Sequence, residues 1–486
     1  MRAPGPGLRR WQCDGHFQDD DARGAGDLEL MNIDAFLREA GALATTDVEP
    51  RYLSGARYAA GQALAVLRPS TPAEVAQLLA SAAAHGVSVL TQGAHTGLVQ
   101  AATPTGQVLL STERLRGVFE LDVLDRTLRV STGYRLSEVN ERLAPHGLQF
   151  AIDLSADPSI GGMLAHNTGG TRMLKHGDVR ANTLALEAVL PRGEVLRLGR
   201  GLAKDNAALA LQHLFIGSSG ALGVITEATL RLQALPKQTA VALVAPASLD
   251  AVWPLYQRWT QAFGGLISAF EGLSDRALAA AIHVQGGASP FAEGLPPYSL
   301  LIELASDLSS AQLDLRGLLH SELEAAFERG DVVDAALDKD EALWGLRHAV
   351  SEGLRERGSV IGFDISLPRR SVWAFREATR DWLAAEFPPA EVSDFGHLGD
   401  GGQHFNLVWP RSSPPLAPAD LRRLREGVYD RVAAHGGSFS AEHGLGPLLQ
   451  ATYRRHTPEA VRQASARVIQ ALSEAPTSPN APFDFS

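Results

Sequence analysis

From about Ala65 the hydrophobic and polar positions switch back and forth between helical and strand periods. The run AEVAQLLASAAAH has helical spacing. Thr71 can cap it, Pro72 takes the first helical position, Glu74 completes a capping box, and Gly86 stops it. VSVLTQG then reads as a buried strand, and QVLLS, GVFELD and TLRVSTG as short β runs before a second helix, RLSEVNERLAPHG. TLALEAVLPRGEVLRLG predicts a hairpin turning at Pro191–Arg192–Gly193. The mixture is α+β. It lacks both the regular βαβ spacing of a Rossmann domain and a GxGxxG after the first strand, so a nicotinamide-dinucleotide fingerprint is absent.

After Pro236 the pattern changes. AVALVAPA and YSLLIELAS predict strands, and DAVWPLYQRWTQAF and SSAQLDLRGLLHSELEAAF predict helices. A separate substrate-covering domain with an antiparallel sheet is expected here. From about Ser393, Gly- and His-rich loops lead into a further helix, LRRLREGVYDRVAAHGG, and the tail SEAPTSPNAPFDFS reads as extended. Residues 1–30 carry Gly, Pro and the run Asp19–Asp20–Asp21 without any period, whereas MNIDAFLREAGAL is helix-like. Met31 is the expected natural start, with 1–30 a disordered or upstream extension. The expected division is therefore 1–30 extension, 31–235 first domain, 236–392 substrate domain and 393–486 C-terminal segment.

Composition narrows the function classes. A chain of 486 residues exceeds one ordinary core, and 45% hydrophobic with 20% charged residues is globular. A net charge of −11 argues against nucleic acid or an anionic membrane as partner, although an Arg or a metal ion can still attract a small anion inside a pocket. The single cysteine, Cys13, excludes an intrachain disulfide and Cys-rich metal or iron–sulfur motifs, so electrons leaving this protein would need a separate acceptor. No apolar run reaches the roughly 18–20 residues of a membrane span. Arg2, Arg9 and Arg10 precede no apolar stretch of the secretory kind, which makes the cytoplasm the default compartment.

Two sets of residues carry candidate chemistry. The first is three Gly-rich segments, TQGAHTG (91–97), SIGGMLAHNTGG (159–170) and FIGSSGALGVITEATLRL (215–232). Each alone could be an ordinary turn. Together they suit backbone amides crowding a pyrophosphate. The second is GHLGDGGQHFN (396–406) with SAEHGLG (440–446), which set His397, His404, Glu442 and His443 on Gly-flanked loops. A lone histidine is usually a surface or satisfied core residue. Four such groups suit zinc or a similar divalent ion, though their spacing is no standard zinc motif.

The three Gly-rich segments resemble the flavin-binding core of the vanillyl-alcohol oxidase superfamily, the FAD-linked oxidases of PCMH type. The resemblance covers residues 50 to 460 and is closest to the D-2-hydroxyglutarate and D-lactate dehydrogenase group. It implies a PCMH-type FAD-binding domain, an antiparallel-sheet substrate domain and a C-terminal helical segment. It implies that Gln92, Gly93, Ala94, His95, Thr96 and Gly97, with Ser159, Gly161, Gly162, Asn167, Gly169 and Gly170, cradle the FAD pyrophosphate. Gly217, Gly220, Gly223 and Ile225 would complete the flavin site. Thr168 stands where the family usually has Ala, and Ser219 where it usually has an acid.

In the same group the matching motifs read GHxGDGNxHxN and GEHGxG. The resemblance implies His397, His404 and Glu442 as ligands of a zinc or manganese ion, His443 as base and Asn406 as a substrate contact. Gly402 and Ala441 depart from the motif without removing a ligand. Arg347 and Ser351, one turn apart in LWGLRHAVSEGL, match an Arg and a Thr near the distal end of the substrate. A Lys that usually precedes the aromatic-Asp-x-Ser-Leu-Pro stretch is replaced by Gly362. His95 stands where the group usually has Asn. In other branches a His in a Gly-x-His-Ser setting carries FAD covalently. The reading favoured here is that His95 only hydrogen-bonds.

These expectations describe a dehydrogenase of a small D-2-hydroxy acid. Its electrons would pass to an electron-transfer flavoprotein, a quinone or a cytochrome, and a homodimer is expected. A zinc hydrolase would leave the Gly-rich segments unexplained. A non-catalytic flavin-binding protein would leave the His and Glu cluster idle. A flavin oxidase using oxygen shares every motif.

Overall fold

The computed structural model describes residues 32–55, 60–339, 342–473 and 482–486. The extension expected over 1–30 lies outside the described residues, as does most of the expected extended tail; a helix occupies 32–40.

The N-terminal part holds two larger sheets. A four-stranded sheet runs Ala44–Thr45, Ala65–Leu67, Val108–Ser111, Val89–Gln92, and is parallel except for its first pair. Helix Pro72–His85 packs Val75, Leu78 and Leu79 on it. Its start is the predicted capping box: Thr71 Oγ1 accepts from Glu74 N at 3.2 Å, and Glu74 Oε2 accepts from Thr71 N at 3.2 Å. A five-stranded antiparallel sheet, Phe119–Asp122, Thr127–Ser131, Val224–Arg231, Thr183–Val189, Val195–Leu198, contains the predicted hairpin.

The second part is organised by a seven-stranded antiparallel sheet: Val332–Leu337, Gln238–Pro246, Tyr298–Ser306, Ile267–Ser274, Phe395–Gly396, Gly402–His404, Asp364–Ser366. Its strands obey the two-residue period on both faces. Ala240, Ala242 and Val244 face one core, with helices Leu249–Phe263, Leu315–Glu328 and Val372–Glu386. Val241, Leu243 and Ala245 face the other, with helices Asp275–Gln285 and Ala342–Arg357. The sheet takes strands from both sides of residue 392, so the His-rich loops after Ser393 grow out of the sheet that the preceding segment builds. The architecture is α+β.

Candidate active site

The SAEHGLG loop is tied to the third Gly-rich segment by one hydrogen bond and lies in close contact with the second. Ser219, in the left-handed region at φ 51°, donates its hydroxyl to Leu445 O at 3.0 Å. A Cβ on Gly444 would lie 2.6 Å from His166 Nδ1, and one on Gly446 would collide with Val99 O. A Cβ on Gly169 would sit 3.5 Å from Glu442 Oε2. The segments expected to hold the flavin thus surround the loop expected to hold the metal and the base.

Around the cradle, Gly93 lies so close to Ser159 that a side chain would collide with the Ser159 hydroxyl, which accepts from Gly162 N at 3.2 Å. Gly223, at φ 139°, presses against Val189 O where the strand containing Ile225 begins. Gly161 backs onto Thr132, and Gly170 onto Asp153. Gly217 packs on Arg180, and Gly220 sits at φ 81° in open space. Two side chains are spent on the protein itself. Gln92 donates to Tyr52 O and Ala102 O, both at 2.9 Å. Asn167 donates to Asp178 and accepts from Arg180 N.

Ala94, His95, Thr96 and Gly97 form the loop after strand Val89–Gln92. His95 is in the left-handed region at φ 60°, and neither of its buried ring nitrogens has a hydrogen-bond partner among the described residues. A cavity of about 140 Å³ opens on Gln92, Gly93, Ala94, His95 and Ser159. Another of about 340 Å³ opens on His166, Asn167, Gly217 and the 438–445 loop. Crowded glycines and cavities along them fit a ligand held by backbone, as FAD would be.

The His and Glu cluster is tight. Donor atoms of Asp364, His404, Glu442 and His443 lie within 4.8 Å of one another. His404 Nε2 and His443 Nε2 stand 3.6 and 3.4 Å from Glu442 Oε1, and His397 Nε2 stands 3.7 Å from Glu442 Oε2. These gaps are long for hydrogen bonds. They match the separation of ligands sharing one ion at roughly 2.0–2.2 Å, so the donor set fits a divalent metal.

Burial pushes the His404 imidazole down to about 3, assisted by His397 and His443, which keeps it neutral as a ligand must be. Burial works against the charge on His397, but Glu271 and Glu442 outweigh it and raise this imidazole well above its ordinary value. Burial also favours a protonated Glu442, yet the surrounding histidines hold it well below the usual carboxylate range. A metal binding through His397 must therefore displace a proton.

Three carboxylates escape a reading of the sequence. Glu271, in the fully buried strand Ile267–Ser274, accepts from Arg347 Nε at 2.7 Å and lies 2.7 Å from His397 Nδ1. Burial alone would raise it, but His397 and Arg347 bring it to about 2. Asp364 Oδ2 accepts from the backbone N–H of Glu442 at 3.0 Å and of His443 at 2.8 Å, and stands 3.3 Å from His443 Nδ1. Glu303 takes Arg172 through both oxygens, at 2.8 and 3.1 Å, and Trp344 Nε1 at 2.7 Å, joining the chain just after the second Gly-rich segment to the seven-stranded sheet. For Glu271 and Glu303 the available signal was a single acid in an otherwise uncharged strand, ISAFEGLS and YSLLIELAS.

The remaining expected residues fall around this centre. Arg347 is buried, with its guanidinium 4.6 Å from the Phe395 ring centroid, and Phe395 in turn lies 5.2 Å from the His404 ring. Ser351 is half-buried, one turn further along helix Ala342–Arg357. Asn406 donates to His404 O at 3.1 Å, and its Oδ1 would lie 3.1 Å from a Cβ on Gly362.

Comparison with known proteins agrees with this architecture. A family model described as an FAD binding domain matches residues 63–199, and one described as the C-terminal domain of FAD linked oxidases matches 235–472. A D-2-hydroxyglutarate dehydrogenase of Xanthomonas citri pv. viticola is 32% identical over 84% of this chain and 86% of its own. The mitochondrial D-2-hydroxyglutarate dehydrogenase of Bos taurus is 33% identical over 82% and 73%. The solved structure of p-cresol methylhydroxylase superposes with a TM-score of 0.70 over 93% of this chain and 97% of that one, at 14% identity, which speaks to the fold alone. The chain belongs to the FAD-linked oxidase family, as an FAD-linked oxidoreductase. Within that family it is homologous to the D-2-hydroxy-acid dehydrogenases. None of the described helices is long and apolar enough to cross a membrane.

Proposed function

We propose that this chain is an FAD- and divalent-metal-dependent dehydrogenase that oxidises a D-2-hydroxy acid, of D-lactate or D-2-hydroxyglutarate type, to the 2-oxo acid. The observation that carries the proposal is a half-buried cluster in which Glu442 and His443, on the loop that packs against the Gly-rich flavin segments, meet Asp364 and His404 from the seven-stranded sheet. The names of the relatives supply the substrate class.

His397, His404 and Glu442 would hold the metal, and His443 would be the base. Asp364 is better suited to orientation than to ligation, because one of its oxygens already accepts two backbone N–H groups of the loop. With Asp364 beside Nδ1, His443 presents Nε2 towards Glu442 and takes the substrate hydroxyl proton there. The guanidinium of Arg347 and the amide of Asn406 bind and orient the acid. When bound, the metal supplies Lewis-acid polarisation of a chelated hydroxyl and carboxylate, and the flavin supplies a hydride acceptor. Electrons then leave to a separate acceptor.

The test is a panel of D- and L-2-hydroxy acids with an artificial dye acceptor, run with and without chelator on protein whose visible spectrum is recorded. Bleaching of a yellow protein by D-acids alone, abolished by chelation, is the expected result. A colourless folded protein that FAD cannot reconstitute would overturn the proposal.

A further inference from the structure

We propose that Glu271 is a positioning residue that sets metal affinity and substrate affinity together, by anchoring the ligand histidine with one oxygen and the substrate arginine with the other. The proposal rests on the reading of the site given above. Glu271 is 1% exposed and is the only charge in strand Ile267–Ser274, all eight residues of which are buried. Burying a carboxylate there is costly unless both oxygens are satisfied.

Each oxygen has one partner, and both partners belong to the candidate site. Oε1 stands 2.7 Å from His397 Nδ1, and Oε2 accepts from Arg347 Nε at 2.7 Å. Arg347 alone would neutralise the acid. The contact to His397 is the one that charge balance does not require. Because Nδ1 is occupied by Glu271, the nitrogen turned towards Glu442 is Nε2, 3.7 Å from Oε2. That gap is too long for Glu442 to orient the ring by itself. A carboxylate behind a ligand histidine fixes both tautomer and ring direction.

The other arm works the same way. Holding Arg347 by Nε stacks its guanidinium over Phe395 and leaves its two Nη groups unbonded among the described residues, the edge suited to a bidentate carboxylate. Helix Ala342–Arg357 and the loop after Gly396 come from distant parts of the chain. Both are referenced to one carboxylate on one rigid strand.

Glutamine tests this, because an amide offers one acceptor and one donor end, whereas Arg347 Nε and His397 Nδ1 both donate to Glu271. In E271Q one arm must fail. The measurement is the Kd for Zn²⁺ and Mn²⁺ in substrate-free, FAD-loaded protein, by competition with a chromophoric chelator, alongside KM and kcat. The expected result is metal affinity weakened roughly 10–100-fold, the usual effect of losing such a partner, with KM raised and the flavin spectrum unchanged. Arg347→Gln should also weaken metal binding several-fold without substrate present, although Arg347 is no ligand. This arm carries the test if E271Q fails to fold. Wild-type metal Kd in the folded variants would overturn the role of Glu271. Glu442→Gln separates that failure from failure of the site itself. If wild type binds metal and Glu442→Gln does not, the centre stands and only the linkage falls. If wild type binds none, both fall.

Discussion

The two halves of the site are made in opposite ways. The cradle is built by omission: Gly93, Gly161, Gly170 and Gly223 leave no side chain where neighbouring atoms already stand. The His and Glu centre is built by addition, from side chains whose direction is set by carboxylates behind them, Glu271 for His397 and Asp364 for His443. A site made of backbone tolerates little change in shape but carries no charge of its own. A site made of buried charges depends on every partner, because an unpaired member is more costly than an absent pair. The halves touch, at Ser219 with Leu445 and at Gly169 with Glu442, yet they should fail independently.

Breaking the charged half should have the largest effect. Glu442→Gln, or exhaustive chelation, should lower turnover by about 10³-fold or more, since Lewis-acid stabilisation is worth several kcal/mol. Metal analysis should show the ion lost and the absorption spectrum should show the flavin kept. If flavin occupancy falls with the metal, the halves are one unit and the contrast is wrong. His443→Ala should slow single-turnover flavin reduction by roughly 10²–10⁴-fold while retaining the metal. Loss of metal in that variant would instead place His443 among the ligands, with Asp364 and His404, as their 4.8 Å grouping also permits.

The cradle can be broken from its own side. Gly93→Ala sets a methyl against the Ser159 hydroxyl, an overpacking that costs about 1–3 kcal/mol. FAD affinity, measured by reconstitution of apoprotein, should weaken by roughly one to two decades, with Zn²⁺ affinity unchanged. Wild-type FAD affinity would remove Gly93 from the cradle.

The same contrast explains what the sequence made legible. Omission leaves a local mark: three Gly-rich segments and the box of Thr71 and Glu74 are contiguous text, and the structure forms the box and brings the segments together. His397, His404, Glu442 and His443 were also visible, as residue types on Gly-flanked loops. Glu271 was not, because it lies 126 residues from His397 and acquires meaning only when the strand Ile267–Ser274 pairs with Phe395–Gly396. Asp364 lay inside a quoted stretch, but its work is to bind backbone N–H groups 78 and 79 residues away.

The smallest effect concerns which acid the charged half accepts. Gly362 stands where the family resemblance of the sequence implies a Lys for the distal carboxylate, and a Cβ there would point at Asn406 Oδ1, 3.1 Å away. Position 362 therefore faces the candidate substrate side. The cation that reaches Gly362 is Arg425, whose Nη1 is 3.5 Å from the Gly362 carbonyl. Arg425 also lies over the ring of Phe363, which packs on Tyr429 of helix Pro418–Ala434. Arg425 is thus engaged by the Gly362 carbonyl and the Phe363 ring, and is not counted as replacing the missing ammonium. Arg347 remains as one charged contact. Losing one charge-assisted hydrogen bond costs about 1.5–3 kcal/mol, roughly one to two decades in affinity. Wild type should therefore favour D-lactate or an acid with a neutral distal end over D-2-hydroxyglutarate and D-malate, each measured as kcat/KM against its L-enantiomer. Gly362→Lys should raise D-2-hydroxyglutarate by one to two decades and leave D-lactate nearly unchanged. A wild-type preference for D-2-hydroxyglutarate of about a hundredfold would show that the distal carboxylate is held without position 362, while leaving the D-2-hydroxy-acid class intact.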